Sequence, residues 1–236
     1  LTTIGAWTFN ECSNLSQISI PQNVTSIGNS AFYGCGRLSS FTLPESVTYV
    51  GWWAFTDDTL LTEPIYNSHV FAYMPKGYTG EYNIPEGIEM IAGHAFFDSK
   101  NITAVTIPSS VKYIYNAAFT GCCNLQTITC KATTPPALEE AVFCDTGATL
   151  YVPASSVNDY KASTYQWKDF TNIQAIGSNP EDTTSGKCGD NLAWTFDQQT
   201  GTLTISGSGA MYDFTEDNMP WANPLAAITS IELPDG

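Results

Sequence analysis

Positive charge is what this chain has least of. Its 236 residues include one arginine, Arg37, and seven lysines against 23 acidic residues, a formal net charge of −15. A surface of that sign repels phosphate backbones and anionic lipid headgroups, so nucleic acid is excluded as an expected partner. Charge of either sign is scarce, at 13% of residues against 43% hydrophobic. The solvent face must therefore be built from Ser, Thr, Asn and Gln, as in secreted proteins. No run of 18 apolar residues occurs, which excludes a transmembrane helix from this stretch, and no signal peptide opens it. Any targeting segment is expected outside it.

In place of charge the sequence has repetition. "TTIGAWTFNEC", "TSIGNSAFYGC", "TYVGWWAFTDD", "EMIAGHAFFDS" and "KYIYNAAFTGC" are copies of one stretch. Phe9, Phe32 and Phe55 lie 23 residues apart, as do Phe96 and Phe119, and only the step from Phe55 to Phe96 is longer, at 41. Ile4, Ile27, Val50, Ile91 and Ile114 keep the same register, as do Pro21, Pro44, Pro85 and Pro108. One register thus holds across an insertion of 18 residues. The expected fold is mainly β, a leucine-rich-repeat-type solenoid of about 23-residue coils. In "LSQISIP", Leu15, Ile18 and Ile20 are expected to face inward and Gln17 and Ser19 outward, as in a strand with one buried side that Pro21 ends.

The expected organisation is a repeat array over 1–130, with a hairpin-like insertion at about 62–83 carrying Tyr66, Phe71 and Tyr73. A C-terminal cap at 131–176 and a linker at 177–187 follow. A β-hairpin segment over 188–236 is expected to cap an array and to supply the first strand of another array or of the same one. The array needs such caps because its last coil otherwise exposes an apolar face. The closing "ITSIELPDG" matches the strand and proline of a coil, and the opening "LTTIGAWTF" reads as its continuation. Either this is a stretch of tandem arrays, or an N-terminal cap stands after the array in the chain order.

Two surface features are candidates for binding. Ser19, Thr42, Asn83, Thr106 and Thr129 form one outward column, a flat uncharged hydrogen-bonding face. Tyr49, Met90 and Tyr113 form another, beside Trp7, Trp52 and Trp53, and exposed aromatic and Met side chains are enriched at contact surfaces. Chemistry is sparse by comparison. His69 and His94 are the only histidines, and His94 shares a column with Trp7, Ser30, Trp53 and Ala117, which suits a tolerant surface position better than a catalytic one. The seven cysteines include no C-x-x-C pair; Cys12, Cys35 and Cys122 share a column with Asp58 and Ser99, so reduced structural thiols are expected and a zinc site is not. Asp213, Glu216 and Asp217 lack EF-hand spacing, and "SGSGAM" around Gly207 lacks the third glycine of a dinucleotide fingerprint. No catalytic residue, metal or cofactor is expected.

The repeats "LSQISIPQNVTSIGNSAFYGCGR" and "ITAVTIPSSVKYIYNAAFTGCCN" resemble the BspA-like leucine-rich repeats of bacterial surface proteins, over residues 1 to about 130. "LYVPASSVNDYKASTYQWKDFTNI" is similar to the segment that follows such arrays, and "CGDNLAWTFDQQTGTLTISGSGAMYDF" to the cap that precedes them. The resemblance implies export, display at the cell surface in association with a bacterial outer membrane, and non-enzymatic binding to host or bacterial surface proteins. Glycan capture and a spacer role are the alternatives.

Overall fold

The structure, a computed structural model, describes residues 1–144, 147–177, 185–197, 200–214, 219–221 and 228–234. Most of the expected linker, with Glu216 and Asp217, lies outside them. The chain divides into two compact units, Leu1–Ala175 and Ile176–Gly236.

The first unit is a β-solenoid of about seven turns at roughly 23-residue spacing. A row of short strands, Thr3–Ile4, Ser26–Ile27 and Tyr49–Val50, pairs parallel with Thr3 opposite Ser26 and Ser26 opposite Tyr49. From the insertion onward the Val70–Tyr73, Met90–Ile91, Tyr113–Ile114 and Ala137–Leu138 strands form a second parallel set. A longer row runs through Gly80–Asn83, Ile102–Ile107, Thr127–Cys130, Thr149–Val152 and Ile173–Ala175, also parallel. Coiling therefore continues through residues 131–175. A short helix, Val157–Lys161, buries Tyr160, whose hydroxyl donates to the Ala132 carbonyl at 2.9 Å, and Trp167 beside it donates its indole N–H to Pro136 O at 2.8 Å.

The phenylalanine column stacks as its spacing requires. Ring centroids are 5.3 Å apart for Phe9–Phe32 and 5.5 Å for Phe32–Phe55, then 4.8 Å for Phe71–Phe96, 4.6 Å for Phe96–Phe119 and 5.3 Å for Phe119–Phe143. These distances match the separation of hydrogen-bonded strands, so the rings climb in step with the backbone. Phe71, from the insertion, joins the stack on Phe96 and lies outside the 23-residue register.

The strand expected at "LSQISIP" is not formed. Ile20 is buried and Gln17 and Ser19 are exposed, so the alternation holds, but residues 15–20 and 38–43 lack ladder bonds. On the far side of residues 38–43 the next strand is missing as well, because after Leu61 the chain leaves for the hairpin.

That hairpin pairs Ile65–Tyr66 antiparallel with Val70–Tyr73 around a turn closed by Asn67. Asn67 is buried, and its side chain is fully used. Nδ2 donates to the carbonyls of Pro44 (2.8 Å) and Val47 (2.7 Å), and Oδ1 accepts from the N–H groups of His69 (2.9 Å) and Val70 (2.8 Å). Elsewhere a serine ties one coil to the one before, Ser46 to Val24 O at 2.6 Å and Ser110 to Ile88 O at 2.7 Å. Asn67 combines this tie with the turn that admits the insertion.

In the second unit Leu192–Asp197 pairs antiparallel with Thr202–Gly207, flanked by Ser185–Lys187 and, in parallel, Ser230–Glu232. Alternation buries Leu192, Trp194, Phe196, Leu203 and Ile205 on one face.

Asn67→Ala takes the side-chain donor from the Val47 carbonyl and the acceptor from two N–H groups of the turn, while the Pro44 carbonyl keeps the Val47 N–H at 3.0 Å, at about 1–3 kcal/mol for an unsatisfied group. At about 2–4 °C per kcal/mol for a chain of this size, the melting temperature is expected to fall by several degrees in circular-dichroism melts. An unchanged melt would show that the turn is held by other means.

Candidate functional site

The chain turns a corner after each short strand, and the turn demands left-handed backbone. Trp53 (φ 59°) and His94 (φ 62°) occupy equivalent corner positions in the third coil and in the coil after the insertion. Non-glycine residues seldom adopt this conformation, and here the coil geometry imposes it. The insertion does not separate the two corners. A β-carbon on Gly93 would stand 2.7 Å from Trp52 Cβ and 3.1 Å from Asn116 O, so the absence of a side chain is what lets Trp52 settle there.

The result is a step of aromatic rings. Trp52 packs edge-on to Trp53 at 5.1 Å, Trp53 to His94 at 4.8 Å, His94 against Phe97 at 5.2 Å, and Tyr33 against Trp53 at 6.3 Å. Tyr49 meets Tyr115 edge-on at 5.9 Å. Tyr49 and Trp52 are each 37% exposed and Tyr113 is 53% exposed, so the step presents ring surface to solvent. Trp53 Nε1 and His94 Nδ1 are buried without hydrogen-bond partners. Burial alone pushes the His94 imidazole down to about 4, so it is neutral at physiological pH.

Carboxylates and one lysine edge the step. Glu139 accepts from Asn116 N–H at 3.1 Å; desolvation, and then the Glu139 charge, hold the Tyr49 and Tyr115 hydroxyls above their usual range. At the other end the Lys76 ammonium lies 5.9 Å from the Phe97 ring centre and 3.0 Å from Asp57.

Several expectations need correction. Met90 is not an exposed contact residue: it is only 6% exposed, at the place in the row where its strand pairs with the inserted strand Val70–Tyr73. Trp7 is exposed, but among the described residues no ring contact joins it to Trp52 or Trp53, since buried Ser30 occupies the intervening corner. His94 is no plain surface position, being half-buried among rings. In the threonine column, Asn83, Thr106 and Thr129 sit opposite one another in the ladder, while Ser19 and Thr42 are exposed outside it. Tyr115 was missed. Its signal was in the column, where the other copies place Gly5, Gly28, Gly51 and Ala92, so a tyrosine there has room only by leaning outward.

A family model described as BspA type leucine rich repeat region matches the chain in six copies, over residues 1–76 and 67–179, and the chain belongs to this family. No curated protein matches it. Among solved structures it is similar to a leucine rich cell surface protein of Faecalibacterium prausnitzii, at 20% identity over 76% of this chain and 58% of that one, with a TM-score of 0.42. It is also similar to a leucine-rich repeat protein of T. pallidum, at 19% identity over 75% of this chain and 68% of that one, TM-score 0.41. A leucine-rich repeat protein of Bacteroides ovatus matches at 19% identity over 75% and 55%, TM-score 0.40. The chain thus spans less than two thirds of the first and third of these proteins.

Within the repeat, the cysteine column shows what its corner needs. Cys35 Sγ reaches Phe9 O at 3.2 Å and Cys122 Sγ reaches Phe96 O at 3.1 Å, each thiol donating to the coil before. All seven cysteines are free, and burial first of all pushes Cys35 up to about 11 and Cys122 to about 12. Asp58 holds the same position with its carboxylate fully buried and neither oxygen hydrogen-bonded. It borders a recess of about 560 Å³, also lined by Tyr73, Lys76 and Tyr78, where the insertion interrupts the coil. Burial, with a smaller contribution from Asp57, raises its carboxyl to about 8 from an ordinary 3.8.

The native state therefore holds a proton that the unfolded chain releases near pH 4, so Asp58 removes stability as pH rises from about 4 to about 8. Asp58→Cys restores the column's thiol. Its melting temperature is expected to exceed that of the parent by a margin that is small at pH 4.5 and widens to pH 8. A margin independent of pH would show that the carboxyl is not protonated in the fold.

Proposed function

We propose that this BspA-type leucine-rich repeat chain is a non-enzymatic binding module, displayed at the bacterial surface or secreted, that attaches to proteins of a host or of neighbouring cells. The observation that carries this reading is the exposed ring surface of Tyr49, Trp52 and Tyr113, with half-buried Tyr115 behind Tyr49, at the break in the array. Rings left at a surface whose other positions are Ser, Thr and Asn hold apolar area out of the core, where it adds nothing to folding and is available to a partner. The ladder of Asn83, Thr106 and Thr129 offers a second, polar face whose side chains hydrogen-bond without charge. Glycan capture by the same rings is the alternative, since the exposed Trp52 ring can stack on a sugar.

The test is retention of host matrix proteins by the immobilised chain. Trp52→Ala and Tyr49→Ala are each expected to reduce retention severalfold while the melting temperature stays within about 2 °C, as for surface substitutions away from core features. Retention that survives both substitutions would remove the aromatic step from the binding face. A melting temperature that drops with it would mark the rings as packing. Binding on a glycan array in place of protein retention would transfer the site to the alternative.

A further inference from the structure

We infer that the exposed end of the aromatic step takes a cationic side chain, an arginine or lysine of a basic segment on the partner protein, held against Tyr49, Trp52 and Tyr115 beside the Glu139 carboxylate. The inference rests on the binding role proposed above and names the chemistry of the partner.

The chain itself shows the pattern once. At the Phe97 end of the step, an aromatic face, the Asp57 carboxylate and the Lys76 ammonium are assembled together, the nitrogen 5.9 Å from the ring centre and 3.0 Å from the oxygen. At the opposite end the same two elements recur without the third. Tyr49 and Tyr115 meet edge-on at 5.9 Å, and Trp52 lies across Gly93 from Asn116, whose N–H holds the Glu139 carboxylate at 3.1 Å. Among the described residues no lysine or arginine pairs with Glu139, whereas Lys76, Lys100, Lys112 and Lys131 each pair with another carboxylate. With eight basic residues in all, the chain has almost none to spare for this place.

A cation suits it on three counts. Ring faces attract positive charge. An unpaired carboxylate supplies the charge-assisted hydrogen bond that a guanidinium or ammonium makes best. The net charge of −15 favours approach of basic segments and disfavours acidic ones. A shallow groove bordered by the carboxylates of Glu139, Glu140 and Asp169 and by one ammonium, Lys168, runs on from Asn116, so the flanking residues of an extended segment have a path on which acidic side chains outnumber the basic one.

The test is fluorescence anisotropy of a labelled peptide of alternating arginine and glycine, titrated with the whole chain at about 150 mM salt to screen diffuse attraction. The controls are a peptide with citrulline in place of arginine and the variant Asp159→Asn, which removes one charge from the Val157–Lys161 helix and touches none of these rings. The expected result is saturable binding of the arginine peptide only, weakened about fivefold or more by Glu139→Gln and by Trp52→Ala and less than twofold by Asp159→Asn. Glu139→Gln keeps the test valid should Trp52→Ala fold poorly. Equal weakening by Glu139→Gln and Asp159→Asn, undiminished binding of the citrulline peptide, or no binding of either peptide would overturn the inference. So would saturation of the rings by a neutral oligosaccharide that is indifferent to Glu139→Gln. Loss of host-protein retention in Trp52→Ala, with no arginine-peptide binding, would sink the cationic partner and leave the binding role standing.

Discussion

No coil of this chain can cover its own apolar edge. A single turn of about 23 residues has a single layer of inward side chains and no second coil to lay over them, so each coil is stable only against the next. Parallel pairing sets the spacing between coils, and the spacing in turn selects the residues. Phenylalanine recurs because a flat ring fills that separation face to face, with centroids 4.6–5.5 Å apart along the column. Cysteine recurs at the corner because a thiol is small, buried without cost and able to donate to the carbonyl of the coil before.

The insertion is an interruption that the stacking constraint forces to be repaired. Between Phe55 and Phe96 the chain lacks a regular coil, and the hairpin supplies substitutes: Val70–Tyr73 takes a strand's place beside Met90–Ile91, and Phe71 enters the ring stack. Asn67 provides the polar counterpart, satisfying both the hairpin turn and two carbonyls of the coil beneath. The repair is incomplete at two places. At one corner the third coil meets Gly93 and His94 directly, which crowds the rings of Tyr33, Trp52, Trp53, His94 and Phe97 into a step. At the other, Asp58 is left buried with no partner beside a recess. Both irregularities follow from the same missing coil.

Legibility in the sequence divides along this line. Period and column register carry the fold because they report which residues face inward, and inward residues are fixed by the stack. The phenylalanine row, the inward isoleucines and the small cysteine corner were therefore readable from spacing alone. The register also pointed to Tyr49, Trp52 and Tyr113, whose side chains do reach solvent. It failed for Met90, whose column neighbours are exposed while its own place, beside the inserted strand, is not. It failed again for the ladder at residues 15–20 and 38–43, because alternation reports which side chains face inward and that facing holds there without ladder hydrogen bonds. The contact between Tyr49 and Tyr115 joins residues on either side of the insertion, and a column aligns residues without saying which coils the insertion lets touch.

Nearest-neighbour stability also explains why such a step is tolerated. In a stack, the effect of a poor contact stays within the interface where it occurs, and the coils beyond it remain as firmly packed as before. A buried carboxyl without a hydrogen-bond partner and a cluster of exposed rings would be hard to accommodate together in a globular core, where packing strain spreads through shared neighbours. Here they are gathered at one break, between two runs of rings that stack regularly on either side, Phe9 to Phe55 and Phe71 to Phe143. The regular coils hold the backbone of the break in place, so its aromatic side chains are presented in fixed positions rather than on a floppy loop. Preorganised rings lose less conformational freedom when a partner arrives, and this is the respect in which an irregular coil inside a regular array is better suited to binding than any of the regular coils around it.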